Sequence, residues 1–303
     1  MSKFKLSKGK KVLPDFITLF GVDGVGKTSF AASAPKPVVI DIEKGSYNID
    51  TNRIDENLDS FSDVINAISF VSNLEDCKTV IVDSVDRLET LAEIQVCKEQ
   101  GKKSMEDFGY GAGHKLVQDK FEKELIPLLK MIRETKNVVL IAHDIVRTFK
   151  DPTLLDDYDR HEIKLNKKIA SLIREEVDAV LFINYKTMVK KTNKNDTKGK
   201  GLHTDEIVLY TERRPGHEAK NRFGLPYEIS LSDKWEEGWS IYQKAKGESS
   251  PEDPQVYVRQ ILNLLPEVKD EETRAKIEEA MKEELTTDQL KKYLKRVESL
   301  IEV

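Results

Sequence analysis

The sequence predicts an α/β fold, a mostly parallel sheet with helices on both faces, followed by a small helical region. Three observations carry this expectation. Short β-branched runs alternate with stretches of helical apolar spacing, the order that a parallel sheet with crossover helices requires. The first run leads into Gly21-Val22-Asp23-Gly24-Val25-Gly26-Lys27-Thr28, a glycine turn that opens a helical pattern. Past the middle two hundred residues the strand-like runs stop and only helical spacing remains.

Taken in order, Phe16–Phe20 reads as a buried strand and residues 27–34 as a helix that stops before Pro35. Pro37–Ile42 is a second strand that runs into carboxylates, residues 57–74 a helix, and Lys78–Ser84 a third strand ending in an acid. Residues 85–100 read as helix, 101–113 as a glycine-rich loop with two aromatics, and 114–135 as a long amphipathic helix. Asn137–His143 is a fourth strand, 147–165 a polar irregular stretch, 166–176 a helix, and Ala179–Asn184 a fifth strand. Strands near 184–190 and 206–212 flank a lysine-rich loop and read as a hairpin. The expected division is a core over 1–243, a linker over 244–254, where glycine, serine and proline replace apolar periodicity, and a helical region over 255–303. In that region Thr286 and Gln289 form a capping box before Leu290, Leu294, Val297 and Ile301, which share one helical face.

Composition narrows the function classes. The 303 residues carry 34% charged and 39% hydrophobic side chains and a formal net charge of −5, so global charge argues neither for nor against a nucleic-acid partner. There is no apolar run long enough for a membrane span and no apolar core of a secretory signal near the start, and the protein is expected in the cytoplasm. Two cysteines and five scattered histidines support neither a disulfide framework nor a zinc site.

The glycine turn is where chemistry enters. A GxxxxGKT sequence between a strand and a helix lets successive N–H groups turn inward around phosphates, with the helix N-terminus adding its positive dipole end. This makes Gly21 through Ser29 the candidate binding loop for ATP, Lys27 the group that neutralises the β/γ-phosphates, and the Thr28 hydroxyl a Mg²⁺ ligand. Asp83, roughly fifty-five residues further on at a strand end, is positioned to orient the water shell of Mg²⁺. Asp41 and Glu43 close the neighbouring strand, and Glu43 is the candidate to take a proton from an attacking water. His143 ends the fourth strand at the same sheet edge, where a polar side chain can bond a phosphate and move with its hydrolysis. Lys220 and Arg222, two apart on an extended segment, point to one side and can present cations to a neighbouring subunit's nucleotide.

Taken together, GVDGVGKT, VIDIEKG (39–45), TVIVDSVDRL (79–88), NVVLIAHD (137–144) and AKNRFGLP (219–226) resemble the RecA-type P-loop core, specifically the phage-encoded ATP-binding proteins of the Sak group associated with single-strand annealing and recombination. The resemblance covers about residues 12–232. It implies a RecA-like core, an ATP-dependent homo-oligomer with nucleotides between subunits, and a cytoplasm that is a bacterial host's. It makes Glu43 the catalytic glutamate, His143 the phosphate sensor, and Lys220 with Arg222 the trans-acting pair, an element also found in ring helicases of the DnaB type. In RecA-type proteins the loops after the third and fourth strands line the DNA path. The first such loop offers Lys98, Lys102, Lys103, Phe108 and Tyr110, cations and aromatics suited to backbone contact and base stacking. The second departs from the pattern, since Asp151, Asp156, Asp157, Asp159 and Glu162 outnumber Arg147, Lys150, Arg160 and Lys164.

A stronger basic segment is 186–201, with Lys186, Lys190, Lys191, Lys194, Lys198 and Lys200 against Asp196, and a second lies at Lys3, Lys5, Lys8, Lys10 and Lys11. The expected partner is single-stranded DNA, with the helical region a candidate contact for a single-strand-binding or replication protein. A ring-helicase motor or loader, and a nucleotide-binding switch that recruits replication proteins, stay open as alternatives.

Overall fold

A computed structural model describes residues 12–150, 157–190, 200–231 and 235–247, and parts of 258–301. Its contacts divide the chain into two compact units, Met1–Trp239 and Ser240–Val303.

The first unit is built on a sheet whose central strands are parallel. The strands are β1 (Phe16–Gly21), β2 (Pro37–Asp41), β3 (Asn52–Arg53), β4 (Thr79–Asp83), β5 (Asn137–Phe149), β6 (Tyr158–Ile163), β7 (Ala179–Lys190), β8 (Lys200–Tyr210), β9 (Lys220–Asn221) and β10 (Glu228–Leu231). The order across the sheet is β10-β8-β7-β1-β5-β4-β2-β3, with β6 pairing β5 and β9 pairing β7. From β3 to β7 the neighbours run parallel, while β8, β10, β6 and β9 pair antiparallel. The β1 strand has parallel neighbours on both sides, so all six of its residues are buried, as an unbroken apolar run requires. Register sets the functional edge: Gly21 lies beside His143, Asp83 beside Ile141, and Asp41 beside Asp83, so the ends of β1, β2 and β4 and the His143 level of β5 share one edge.

The helices are α1 (Lys27–Ala32), α2 (Phe61–Ser72), α3 (Val85–Glu99), α4 (Ala112–Lys120), α5 (Ile126–Arg133), α6 (Lys167–Glu176) and α7 (Gly238–Ala245). Alternate strand residues Phe16, Phe20, Val38, Ile40, Val80, Val82, Val138 and Leu140 form one core with apolar residues of α2 to α6. The intervening residues Ile17, Leu19, Val39, Ile81, Val139 and Ile141 face the other way and are fully buried too. Ser60 and Asp63 start α2 with a reciprocal capping box, and Ser84 caps α3 by accepting from Arg87 N–H.

Three expectations are corrected. The described residues of 147–165 are not irregular: β5 does not end at His143 but continues to Phe149 and pairs with β6, Asp144 opposite Ile163. Val146 points outward at 52% exposed while Arg160 is buried over the Phe149 ring, 4.1 Å from its centroid, so the apolar alternation that marks a strand is inverted. The single helix expected over 114–135 is interrupted by a π-helical stretch, Phe121–Leu125, just before Pro127, whose missing N–H cannot continue the regular ladder. Last, the fifth strand does not end at Asn184 but runs on as β7 and pairs with β8 in the expected hairpin.

In the second unit, α8 (Glu271–Ala280) and α9 (Thr287–Ile301) are helical, as the sequence predicts. Ile261, Leu265, Val268, Ile277, Leu290 and Val297 form a small core with Leu294 packed against it, so these three residues of the stripe on α9, Leu290, Leu294 and Val297, are used inside the unit. Thr286, and the linker from residue 248 onward, lie outside the described residues. No helix among the described residues is long and apolar enough to cross a membrane. Cys77 and Cys97 are free, buried thiols.

Candidate functional site

The phosphate loop leaves β1 where only glycine fits. A Cβ on Gly21 would lie 2.0 Å from the Ile183 carbonyl oxygen of β7, so the close approach of the two strand ends depends on its absence. Gly24 and Gly26 hold φ of 74° and 92°, the left-handed values that curl a loop back toward a helix N-terminus. Lys27, at the start of α1, is buried at 7% exposure, and its ammonium donates to the carbonyls of Gly21 and Val22 at 2.9 and 3.0 Å. Burial pulls its pKa below the ordinary lysine value. A desolvated ammonium whose hydrogen-bond acceptors are two neutral carbonyls fits an anionic ligand, which is what a triphosphate supplies.

Thr28 donates its hydroxyl to Asp83 Oδ2 at 2.6 Å, so the two residues expected to hold Mg²⁺ are in direct contact. Burial, with Asp41 and Glu43 adding like charge, pushes the Asp83 carboxyl up to about 6. A divalent cation between Thr28 and Asp83 fits this donor set of hydroxyl and carboxylate oxygens and would reverse that shift.

Next along the edge come the groups suited to water and phosphate. Asp41 is not one of them: it accepts from Gly45 N–H at 3.1 Å, Ser46 N–H at 2.8 Å and the Ser46 hydroxyl at 2.5 Å, and so folds the turn after β2. Glu43 stands on that turn, exposed, with one oxygen held by the Ser84 hydroxyl. Ser84 thus does two jobs, donating to Glu43 while capping α3. His143 is fixed by Asp86, which accepts from its backbone N–H at 3.0 Å and contacts Nδ1 at 2.9 Å. An ionised carboxylate only accepts, so Nδ1 carries the hydrogen and Nε2 is left for the loop side, 3.5 Å from Asp23 Oδ1. The Asp86 hydrogen bond raises the His143 pKa, which makes Nε2 a donor over a wider pH range. Donor atoms of Glu43, Asp86 and His143 lie within 4.8 Å of one another, but the bonds to Ser84 and Asp86 already satisfy them as an orienting chain. A cleft of about 740 Å³ opens beside the trio, lined also by Arg87, Glu89 and Arg147.

Lys220 and Arg222 are elsewhere. Lys220 pairs with Val180 of β7, which is level with Thr18 of β1, about 10 Å back along the strand from Gly21 at ~3.3 Å per residue. Both side chains turn to the C-terminal end of α6, whose last carbonyls lack helical partners. Lys220 donates to the carbonyls of Arg174 and, at 2.8 Å, Val177, while Arg222 donates to that of Glu175 at 3.0 Å. The Arg222 side chain stays 53% exposed.

Of the residues expected to touch nucleic acid, Lys102 and Lys103 are exposed on the loop after α3. Tyr110 is fully exposed, with φ 51°. Phe108 packs instead over Gly113 and against the core, so it braces the loop. Lys190 and Lys200 face each other across the β7–β8 hairpin in backbone register, whereas Lys191, Lys194 and Lys198, and the amino-terminal lysines, lie outside the described residues. Lys186 is neutralised by Glu228 at 3.0 Å and Glu206 at 3.6 Å.

Sequence reasoning missed Ser84 and Asp86. An N-cap serine and an acid in the first helical turn are what any helix start shows, so neither carries a signal of its own. The profile of a protein family described as AAA domain matches residues 14–223, from just before β1 to just past β9 and well over half of the chain. No curated protein matches the sequence. The matched stretch contains every group placed at the sheet edge above, and the chain belongs to this family of AAA-type P-loop proteins.

Proposed function

We propose that the protein is an oligomeric ATPase of the phage-encoded Sak type that acts on single-stranded DNA, with each nucleotide site completed by a neighbouring subunit. The observation that carries this reading is the separation of Arg222 from its own phosphate loop. A half-exposed guanidinium that lies behind Gly21 along the sheet, and is bonded to the end of α6 rather than turned to its own phosphate loop, can meet a neighbour's nucleotide as the anion it serves.

The chain's residues divide the work. Lys27 and the loop amides take the phosphate charge, and Thr28 with Asp83 holds Mg²⁺ and its water. ATP, when bound, supplies the phosphoanhydride bond whose cleavage makes the cycle irreversible. Glu43, aimed by Ser84, takes the proton of the attacking water, and His143, aimed by Asp86, offers Nε2–H to phosphate oxygen. His143 lies in β5 just before the residues that pair with β6, so a change at that side chain can move the β5–β6 hairpin, whose excess of acids argues for a role other than direct phosphate contact.

Hydrolysis of ATP measured with and without single-stranded DNA at two salt concentrations tests the reading. The expected result is turnover stimulated by DNA, less so at high salt, and lost by at least a hundredfold in Lys27→Ala. Turnover indifferent to DNA contradicts the nucleic-acid part and favours a nucleotide switch that recruits proteins.

A further inference from the structure

One aromatic side chain touches the phosphate loop, and the nucleotide chemistry above leaves it unused. Gly26 is the glycine immediately before Lys27, and a Cβ there would lie 2.3, 2.4 and 2.9 Å from the Cζ2, Cη2 and Cε2 atoms of Trp235. The indole therefore rests on the loop's backbone, and among the described residues it is the only ring this close to any of the loop's three glycines. The residue is only partly buried.

The segment that carries Trp235 is held against α1. It forms a short 3₁₀ turn, Trp235–Glu237. Directly after it, Gly238 packs so closely on α1 that a Cβ would sit 3.1 Å from Phe30 Cδ2 and 3.3 Å from Ser33 Oγ. Trp239 donates its backbone N–H to Ser33 Oγ at 2.8 Å, and its buried ring lies 6.0 Å from that of Phe30. Residues 235–239 thus run along α1 from Gly26 to Ser33, beside the loop proposed to receive the phosphates. A nucleotide is a phosphate chain joined to a flat heteroaromatic base, and nucleotide sites add apolar and aromatic walls to their few polar anchors. The polar anchors are present in Lys27, Thr28 and the loop amides, and the flat wall is present in Trp235.

We infer that Trp235 is the base-stacking wall of the nucleotide site, so that the site recognises an aromatic base as well as phosphates. This rests on the nucleotide reading of the phosphate loop. Stacking is tolerant of base identity because every base has a π face, so the assignment predicts a preference for nucleotide over bare phosphate rather than for one base over another.

The test compares ADP with inorganic pyrophosphate, its base-free counterpart, both with Mg²⁺ and the full-length chain, by calorimetry and tryptophan emission. The chain's two tryptophans are Trp235 and Trp239, so the Trp235→Phe variant isolates the Trp235 signal. The expected results are an emission change on ADP binding in the wild type that is lost in Trp235→Phe, an affinity for ADP about tenfold weaker in Trp235→Ala, and pyrophosphate binding within twofold of wild type. Trp235→Phe, which keeps a flat ring and the packing on Gly26, is expected to retain most of the ADP affinity. Equal loss of ADP and pyrophosphate in Trp235→Ala overturns the proposal, because the indole then only braces the loop, and unchanged binding of both overturns it as well. Wild-type protein that takes up neither ligand overturns the nucleotide reading and this one together. Loss of both ligands in Lys27→Ala, with neither changed in Trp235→Ala, leaves the nucleotide reading standing and overturns only the wall.

Discussion

At the residue scale, the candidate site depends on side chains that are aimed by a second group. Glu43 is exposed and would sample many rotamers were it not held by Ser84, and His143 would be free to turn over were Nδ1 not fixed on Asp86. This gives a titration prediction. His143 bonded to Asp86 holds its proton above the ordinary histidine value, so the charged form is present at pH values where a free imidazole is neutral. Removing the carboxylate charge in Asp86→Asn is expected to lower the His143 pKa, as followed by its ring-carbon proton resonances. An unchanged midpoint would show that Asp86 does not set it. The sign for stability is equally determined: the pair contributes fully below the unfolded-state pKa of histidine and is lost as pH rises through the raised folded value. The placement of Lys27, Thr28, Asp83, Glu43 and His143 at one edge was legible in the sequence because each follows an apolar run directly, through a glycine turn or as an isolated polar group, although His143 lies inside β5 rather than at its end. Asp86 and Ser84 were not, because a helix start explains them without a ligand. Asp41 was only half legible, since the sequence placed it at the right edge and gave no sign that its oxygens close a turn.

At the element scale, apolar periodicity located five of the six parallel strands and most helices, missing the two-residue β3, and it failed where packing is not apolar. The β5–β6 hairpin places Val146 outside and buries Arg160 on Phe149 with Glu162 beside it, so polar residues do the inward packing. Glu89 of α3 shows the same habit. It is buried at 9% exposure, both its oxygens accept from the Asn166 N–H at 3.1 Å, and so it ties α3 to the start of α6. Burial pushes its pKa up to about 7. A carboxyl raised in this way contributes stability below its unfolded value near 4.5 and loses it as pH rises through about 7. Glu89→Gln keeps an acceptor for Asn166 and removes the charge. Its melting temperature relative to wild type is therefore expected to rise between pH 5 and pH 8, with a gain of about 1–3 kcal/mol at the upper end. A difference independent of pH would place the Glu89 charge in solvent or on an unrecognised cation.

At the scale of the whole molecule, the described residues show two compact units with separate cores, and the smaller one fills its core in part with Leu290, Leu294 and Val297 of its helical stripe. Sequence spacing identified the stripe but could not say what covers it, because an amphipathic face looks the same whether its partner is the next helix or another protein. The sheet settles a different question of reach. Lys220 and Arg222 lie beside the first residues of β7, about 10 Å or more behind the phosphate loop along the sheet, and spend their hydrogen bonds on the end of α6, Lys220 on its last carbonyls and Arg222 more loosely. The most direct test of a nucleotide site shared between subunits is ATP turnover in mixtures of two inactive proteins, Lys27→Ala and Arg222→Ala. The Arg222→Ala subunit keeps its phosphate loop and the Lys27→Ala subunit keeps its guanidinium, so mixing is expected to restore a substantial fraction of wild-type turnover, greatest near equal amounts. Turnover that stays at the sum of the two separate proteins at every ratio would contradict the account, and would leave Arg222 as a brace for α6.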